Sequence, residues 1–235
     1  NAVVSHCLPM RRNVKIADSV VDRQLPLYSF KPPLKVMALL SALKRPAAME
    51  WEGLKNAVIA SRAANFDIEL FTLVGEQTLF ETINQEIADG LQGIRVAPIP
   101  DRTSELDNLI GDEFRPQILH FFCHGSASLG LPRLELATIL DWMQENPSGS
   151  LKVEVNELLG LTAMQDIWLV TLNCCEGGKA EENMHSMAHR LVAYGIPAAV
   201  GVLEPFDAAD AHEFCAGFYP AVFTKLKRLV EAAAA

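Results

Sequence analysis

The sequence predicts an α/β domain, a mostly parallel sheet with helices on both faces, and three observations carry that prediction. Short apolar runs alternate with amphipathic stretches along most of the chain, the order that lays helices over a parallel sheet. The runs are apolar nearly throughout rather than at every second position, as in strands buried on both faces. The least ordinary residues stand where such runs end, the edge at which open α/β sheets gather functional groups.

Taken in order, residues 1–33 hold Pro9, Pro26, Pro32 and Pro33 and form no long element. They read as an irregular lead-in, the tail of an upstream region. Leu34–Leu40 (LKVMALL) is the first strand, and residues 49–64 form a helix with Trp51, Leu54 and Val58 at helical spacing. A strand at 67–74 (DIELFTLV) precedes a helix at 78–91, in which Leu79, Ile83, Ile87 and Leu91 fall four apart. Thr78 with Glu81 predicts a capping box there. A helix around 105–110 leads to a strand at 117–123 (QILHFFC). Between 134 and 161 the pattern gives a helix near 136–143, the turn Asn146-Pro147-Ser148-Gly149 and a short helix near Glu157. A strand at 167–172 (IWLVTL), a helix at 183–194, a strand at 198–203 and a helix at 210–218 complete the order. Residues 34–231 are therefore expected to form one domain, and the alanines at 232–235 read as an artificial end or placeholder residues.

Composition narrows the function. Half of the 235 residues are apolar and 21% are charged, the balance of a globular chain with a sizeable core. With 20 Lys+Arg against 29 Asp+Glu the net charge is −9, which argues against direct nucleic-acid binding. No apolar run approaches the ~20 residues of a membrane span. Five cysteines without paired spacing predict neither a disulfide framework nor a structural zinc site. The start lacks the layout of a signal peptide, so a cytoplasmic location is expected. No Gly-rich phosphate loop occurs, so no cofactor is expected.

The chemistry lies at two strand ends. One run leads into Cys123-His124-Gly125-Ser126, the other into Asn173-Cys174-Cys175-Glu176-Gly177-Gly178. A thiol needs a neighbouring base or cation to supply thiolate at neutral pH, and histidine is the usual provider. Gly125 allows close approach of a substrate and offers an N–H to an oxyanion. His124 precedes Cys175 by 51 residues, the caspase-type order rather than the papain-type order. A cysteine phosphatase would need Arg six residues after its nucleophile, where Ala180 and Glu181 stand instead. Since side chains alternate along a strand, Cys174 and Cys175 cannot both face the site. Residue logic alone also leaves open a structural His-Gly and an inert buried thiol.

Other groups read more plainly. His185 and His189 lie four apart on a helix without an HExxH glutamate or third ligand, and are expected on a solvated face. Met184, Met187, Ala188 and Leu191 read as core. His120 shares the strand side of His124 and reads as a packed, supporting histidine. Asp207, Asp210 and Glu213 read as lining a loop and a helix start rather than a metal site.

Four ordered blocks are similar to a known family. Residues 118–125 (ILHFFCHG), 169–176 (LVTLNCCE), 186–200 (SMAHRLVAYGIPAAV) and Phe218-Tyr219 resemble the motifs of the CHAT domain, a caspase-like cysteine peptidase family found beside TPR arrays and in bacterial defence systems. The resemblance implies a caspase-like fold, with His124 and Cys175 as the catalytic pair and the Gly125 and Cys175 backbone N–H groups as the oxyanion hole. It implies a cysteine endopeptidase acting on a protein substrate, a regulated effector with a sensor or repeat domain as partner. The rival reading is an inactive or partner-gated interaction module of the same fold. Glu204, Asp207 and Asp210 are the candidate substrate pocket, unless the two aspartates simply cap the last helix. No Arg or Lys occurs between Arg190 and Lys225, so cleavage after a basic residue is expected, with an apolar preference as the main alternative. Arg62, Arg95 and Arg133 are the arginines offered to grip an acidic one.

Overall fold

A computed structural model describes residues 30, 32–42, 47–128, 131–144, 149–160, 166–175, 181–201 and 208–234. Six strands lie parallel in the spatial order β3 (Ile94–Pro98), β2 (Ile68–Val74), β1 (Leu34–Leu40), β4 (Ile118–Ser128), β7 (Leu169–Cys175) and β8 (Ala198–Gly201). Two further strands, β5 (Leu131–Leu136) and β6 (Leu151–Glu154), add an antiparallel extension beside the far half of β4. The helices are α1 (Ala48–Ala63), α2 (Gln77–Ala88), α3 (Thr103–Asn108), α4 (Ile139–Met143), α5 (Val155–Gly160), α6 (Glu181–Ala193) and α7 (Ala208–Ala234). A π-helical segment, Leu109–Phe114, continues α3. This is the expected caspase-like α/β fold, with a mostly parallel sheet between helices.

Side-chain alternation divides the core in two. Leu34, Val36, Leu40, Ile118 and Phe122 point to the face covered by α1, α2 and α7. Met37, Leu39, Leu119, Phe121, Val170 and Leu172 point to the opposite face, covered by α3, α5 and α6. Of the stripes predicted on α1 and α6, Trp51, Leu54, Val58, Met187, Ala188 and Leu191 are buried, while the side chains of Met184 and His185 lie outside the described residues. His189 is exposed, as expected of a solvated helix face.

Several expectations change. The strand at 117–123 runs on to Ser128, so His124-Gly125-Ser126 lies within β4 rather than beyond it. The reason is a change of neighbour. β1 pairs β4 only as far as Phe122, and β5 then takes the same edge, from His124↔Glu135 to Ser128↔Leu131. Ser41 seals the exchange: its N–H donates to Phe122 O at 2.7 Å, and its Oγ accepts from Ala137 N–H at 2.8 Å. Gly75 passes beneath that junction, where a Cβ would lie 2.1 Å from Ala137 O.

β7 begins at Leu169 and takes in Asn173, Cys174 and Cys175, later than the apolar run suggests. The strands β3, β5 and β6 have no counterpart among the predicted elements. The capping box at Thr78 does not form: α2 starts at Gln77, and Thr78 Oγ1 donates instead to Glu76 Oε1 at 2.7 Å. A capping box does start α4, between Thr138 and Asp141. The last helix runs to Ala234 through Pro220, well past 218, because Cys215, Tyr219, Phe223 and Leu226 form a buried stripe against α1. Residues 146–148 of the predicted turn lie outside the described residues. Among the described residues, no helix is long and apolar enough to cross a membrane.

Candidate active site

β4 and β7 pair in parallel from Ile118↔Leu169, and the ladder's last register pair is His124↔Cys175. The two residues singled out for chemistry thus sit side by side on adjacent strands, whose backbones run about 4.8 Å apart. His124 is half-buried, and Gly125 is buried opposite Leu134 of β5. On the other side of His124 stands Glu135, its partner in the β4–β5 ladder. Directly opposed residues of an antiparallel pair present side chains to the same face, so His124 has a carboxylate neighbour that the sequence alone does not reveal. Lys152 Nζ lies 3.6 Å from that carboxylate.

Behind this edge, on the α1/α7 face, polar residues interrupt the apolar positions of β4 and β7. His120 of β4 and Thr171 and Asn173 of β7 are all buried, and they meet Glu50 from the first turn of α1 and Tyr219 from α7. His120 Nδ1 lies 2.7 Å from Thr171 Oγ1 and 2.8 Å from Tyr219 OH, and those two hydroxyls are 2.7 Å apart. The other ring nitrogen, Nε2, is 2.8 Å from Glu50 Oε1. Asn173 Nδ2 donates to the same oxygen at 2.5 Å. Cys215 joins the group, its Sγ 3.7 Å from the Glu50 carbonyl oxygen. Gly53 permits this approach, since a Cβ there would be 3.4 Å from Cys215 Sγ.

A carboxylate so deeply buried is stabilised by its place in the first turn of α1, where backbone N–H groups and the helix dipole favour negative charge. Burial pushes the Cys215 thiol well up, and Glu50 adds to the effect. Burial also raises the Tyr219 phenol well above its ordinary value, the neighbouring Cys215 helps, and the Thr171 hydrogen bond works the other way. Both groups are therefore neutral donors at neutral pH.

His120 is the packed support that its position implies, but its partners come from distant parts of the chain. Glu50, Tyr219 and Cys215 carry no local signal of this role; only the polar breaks at 120, 171 and 173 within apolar strands mark the place.

Cys175 is described as the last residue of β7, while the side chains of Cys174 and Cys175 lie outside the described residues. The same holds for Glu204, Asp207 and the side chain of Asp210, the expected substrate pocket. Of the three arginines offered as possible grips for an acidic residue, Arg62 bonds Asp67 Oδ1 at 2.8 Å and Ile68 O at 3.0 Å, at the opposite end of the sheet. Arg95 stacks over Phe71 at 4.6 Å. Arg133 lies nearer the site on β5, held by Glu154 Oε1 at 2.6 Å. Each is engaged where it stands.

No curated protein matches this chain. The family model of the CHAT domain matches residues 39–233, a span from β1 through nearly all of α7 that includes both strands of the candidate pair. The chain belongs to the CHAT domain family, within the caspase-like peptidase superfamily.

Proposed function

We propose that this CHAT domain is a cysteine-type endopeptidase in which His124 and Cys175 act together on a protein substrate. The observation that carries the reading is the register pairing of His124 with Cys175 at the end of the β4–β7 ladder. Family membership supplies the reaction class. In this mechanism His124 takes the Cys175 thiol proton and the thiolate attacks the scissile carbonyl. The oxyanion is held by the Gly125 and Cys175 backbone N–H groups. His124 then protonates the leaving amine, and water activated by the same ring hydrolyses the thioester. The substrate preference that fits the acidic stretch after β8 is a basic residue before the cut.

Labelling with an electrophilic peptide probe tests the reading. Labelling confined to one cysteine, lost in Cys175→Ala and kept in Cys174→Ala, is the expected result. Labelling that survives Cys175→Ala would remove Cys175 from the role. A peptide library read on the active protein tests the preference, and dominant cleavage after Asp would defeat it.

A further inference from the structure

We propose that Glu50, His120 and Cys215 form a buried zinc site that ties α1, β4 and α7 together behind the active-site edge. Their donor atoms all lie within 4.8 Å of one another, and all three residues are buried. The set is one carboxylate oxygen, one imidazole nitrogen and one sulfur, the mixture that zinc takes and that magnesium and calcium do not.

The contact between His120 and Glu50 is the second observation. Nε2 is 2.8 Å from Oε1, yet Nε2 makes no hydrogen bond among the described residues. An imidazole nitrogen and a carboxylate oxygen held this close, with no hydrogen bond between them, are placed to share one ion. Glu50 Oε2 and Asn173 Oδ1 are likewise buried without a hydrogen-bond partner among the described residues. Asn173 Nδ2 donates to Glu50 Oε1 and holds that carboxylate in place.

The rest of the site fits a ligating histidine. Nδ1 is held by the Thr171 and Tyr219 hydroxyls, which fix the ring orientation and leave Nε2 as the donor. Charge also balances. Zn²⁺ with a glutamate, a thiolate and a neutral imidazole sums to zero, which lowers the cost of burying the acid. On binding, the Cys215 S–H bond breaks, its proton leaves to solvent, and a Zn–S bond forms; nothing is oxidised or reduced. Closed on all sides, the site would take its metal as the chain folds.

The test is metal analysis of the full chain, purified without chelator or polyhistidine tag and refolded with equimolar zinc. About one zinc per chain is expected. Refolding with cobalt is expected to give the near-ultraviolet band of a thiolate-to-cobalt transition. Both are lost in Cys215→Ser and kept in Cys123→Ser, which alters the other buried thiol among the described residues. Cys175→Ala separates this site from the catalytic pair: zinc that leaves with Cys175 overturns the proposal, whatever becomes of the endopeptidase reading. A protein that folds metal-free and takes up no zinc also overturns it. If Cys215→Ser does not fold, X-ray absorption on the zinc-loaded wild type decides, one sulfur with nitrogen and oxygen ligands in favour and any other sulfur count against.

Discussion

The two faces of one sheet are built from the same strands and do different work. On the α6 side, β4 and β7 contribute Leu119, Phe121, Cys123, Val170 and Leu172, an apolar surface without a buried polar strand residue among those described. On the α1/α7 side, the intervening positions include His120, Thr171 and Asn173, each fixed by directional contacts. Apolar packing tolerates substitutions of similar shape and volume, whereas hydrogen-bonded groups demand particular partners. The difference places stability on one face and geometry on the other. The candidate dyad continues the second face's strands, four residues after His120 and two after Asn173.

The sharpest way to break this comparison is to alter the dyad itself. His124→Ala is expected to lower turnover roughly 10²–10⁴-fold and Cys175→Ala to abolish it, with melting temperature nearly unchanged in both. A large loss of thermal stability with probe reactivity intact would turn His124 into a packing residue. Next comes Leu172→Ala on the apolar face. It is expected to destabilise by about 2–5 kcal/mol in urea unfolding while leaving probe labelling intact at low temperature. Thr171→Val, close in shape, removes the hydroxyl shared by His120 and Tyr219 and leaves buried polar groups unpaired, for a cost of about 1–3 kcal/mol. Unlike Leu172→Ala, it should also slow labelling of Cys175 at temperatures where the protein is fully folded. Equal labelling by the two variants would erase the distinction between the faces.

The same comparison explains what could be read from the sequence. β1, β2, β4, β7 and β8 are buried on both faces, so each appears as an apolar run without help from the rest of the chain. β3 is a short edge strand with only Ile94 fully buried, and β5 and β6 carry Arg133, Glu135, Lys152 and Glu154 on a half-open extension. No run marks them. His124 and Cys175 are legible as a candidate pair because each stands in a local motif. Glu50, Tyr219 and Cys215 are not, because their role exists only once α1 and α7 cross over the sheet. Pro220 hid the length of α7 in a similar way. Local preference ends a helix there, and the buried stripe continues it.

A smaller effect is expected beneath the apolar face, where α3 approaches α5. Burial raises the Asp107 carboxyl, and the charge on Glu157 raises it further. A carboxyl whose folded value lies above its unfolded value contributes fully below the unfolded value, and that contribution is lost as pH rises through the folded one. At neutral pH the two carboxylates therefore repel. Asp107→Asn should raise the melting temperature slightly at pH 7, and the gain should vanish on approach to pH 4. A gain that persists in acid would point to a cause other than charge.

The smallest effect belongs to Arg115, at the end of the sheet remote from the dyad. This residue leaves the π-helical segment in the left-handed region, with φ 52°, where a side chain costs about 1–2 kcal/mol and glycine costs little. It also pairs with Asp166 at 2.5 Å, but the two side chains are 59% and 43% exposed, and exposed pairs contribute only about 0–1 kcal/mol. Arg115→Gly exchanges one for the other: strain is relieved, the ion pair is lost, and the unfolded chain gains freedom. The opposing contributions leave a net change within about 1 kcal/mol. Arg115→Ala loses the pair and keeps the strain, so it should be the less stable of the two variants in parallel urea titrations. Since β4 carries His124 at its far end, both variants should label at Cys175 at the wild-type rate. An alanine variant more stable than the glycine one would mean that the freedom glycine gives the unfolded chain outweighs the backbone strain it relieves.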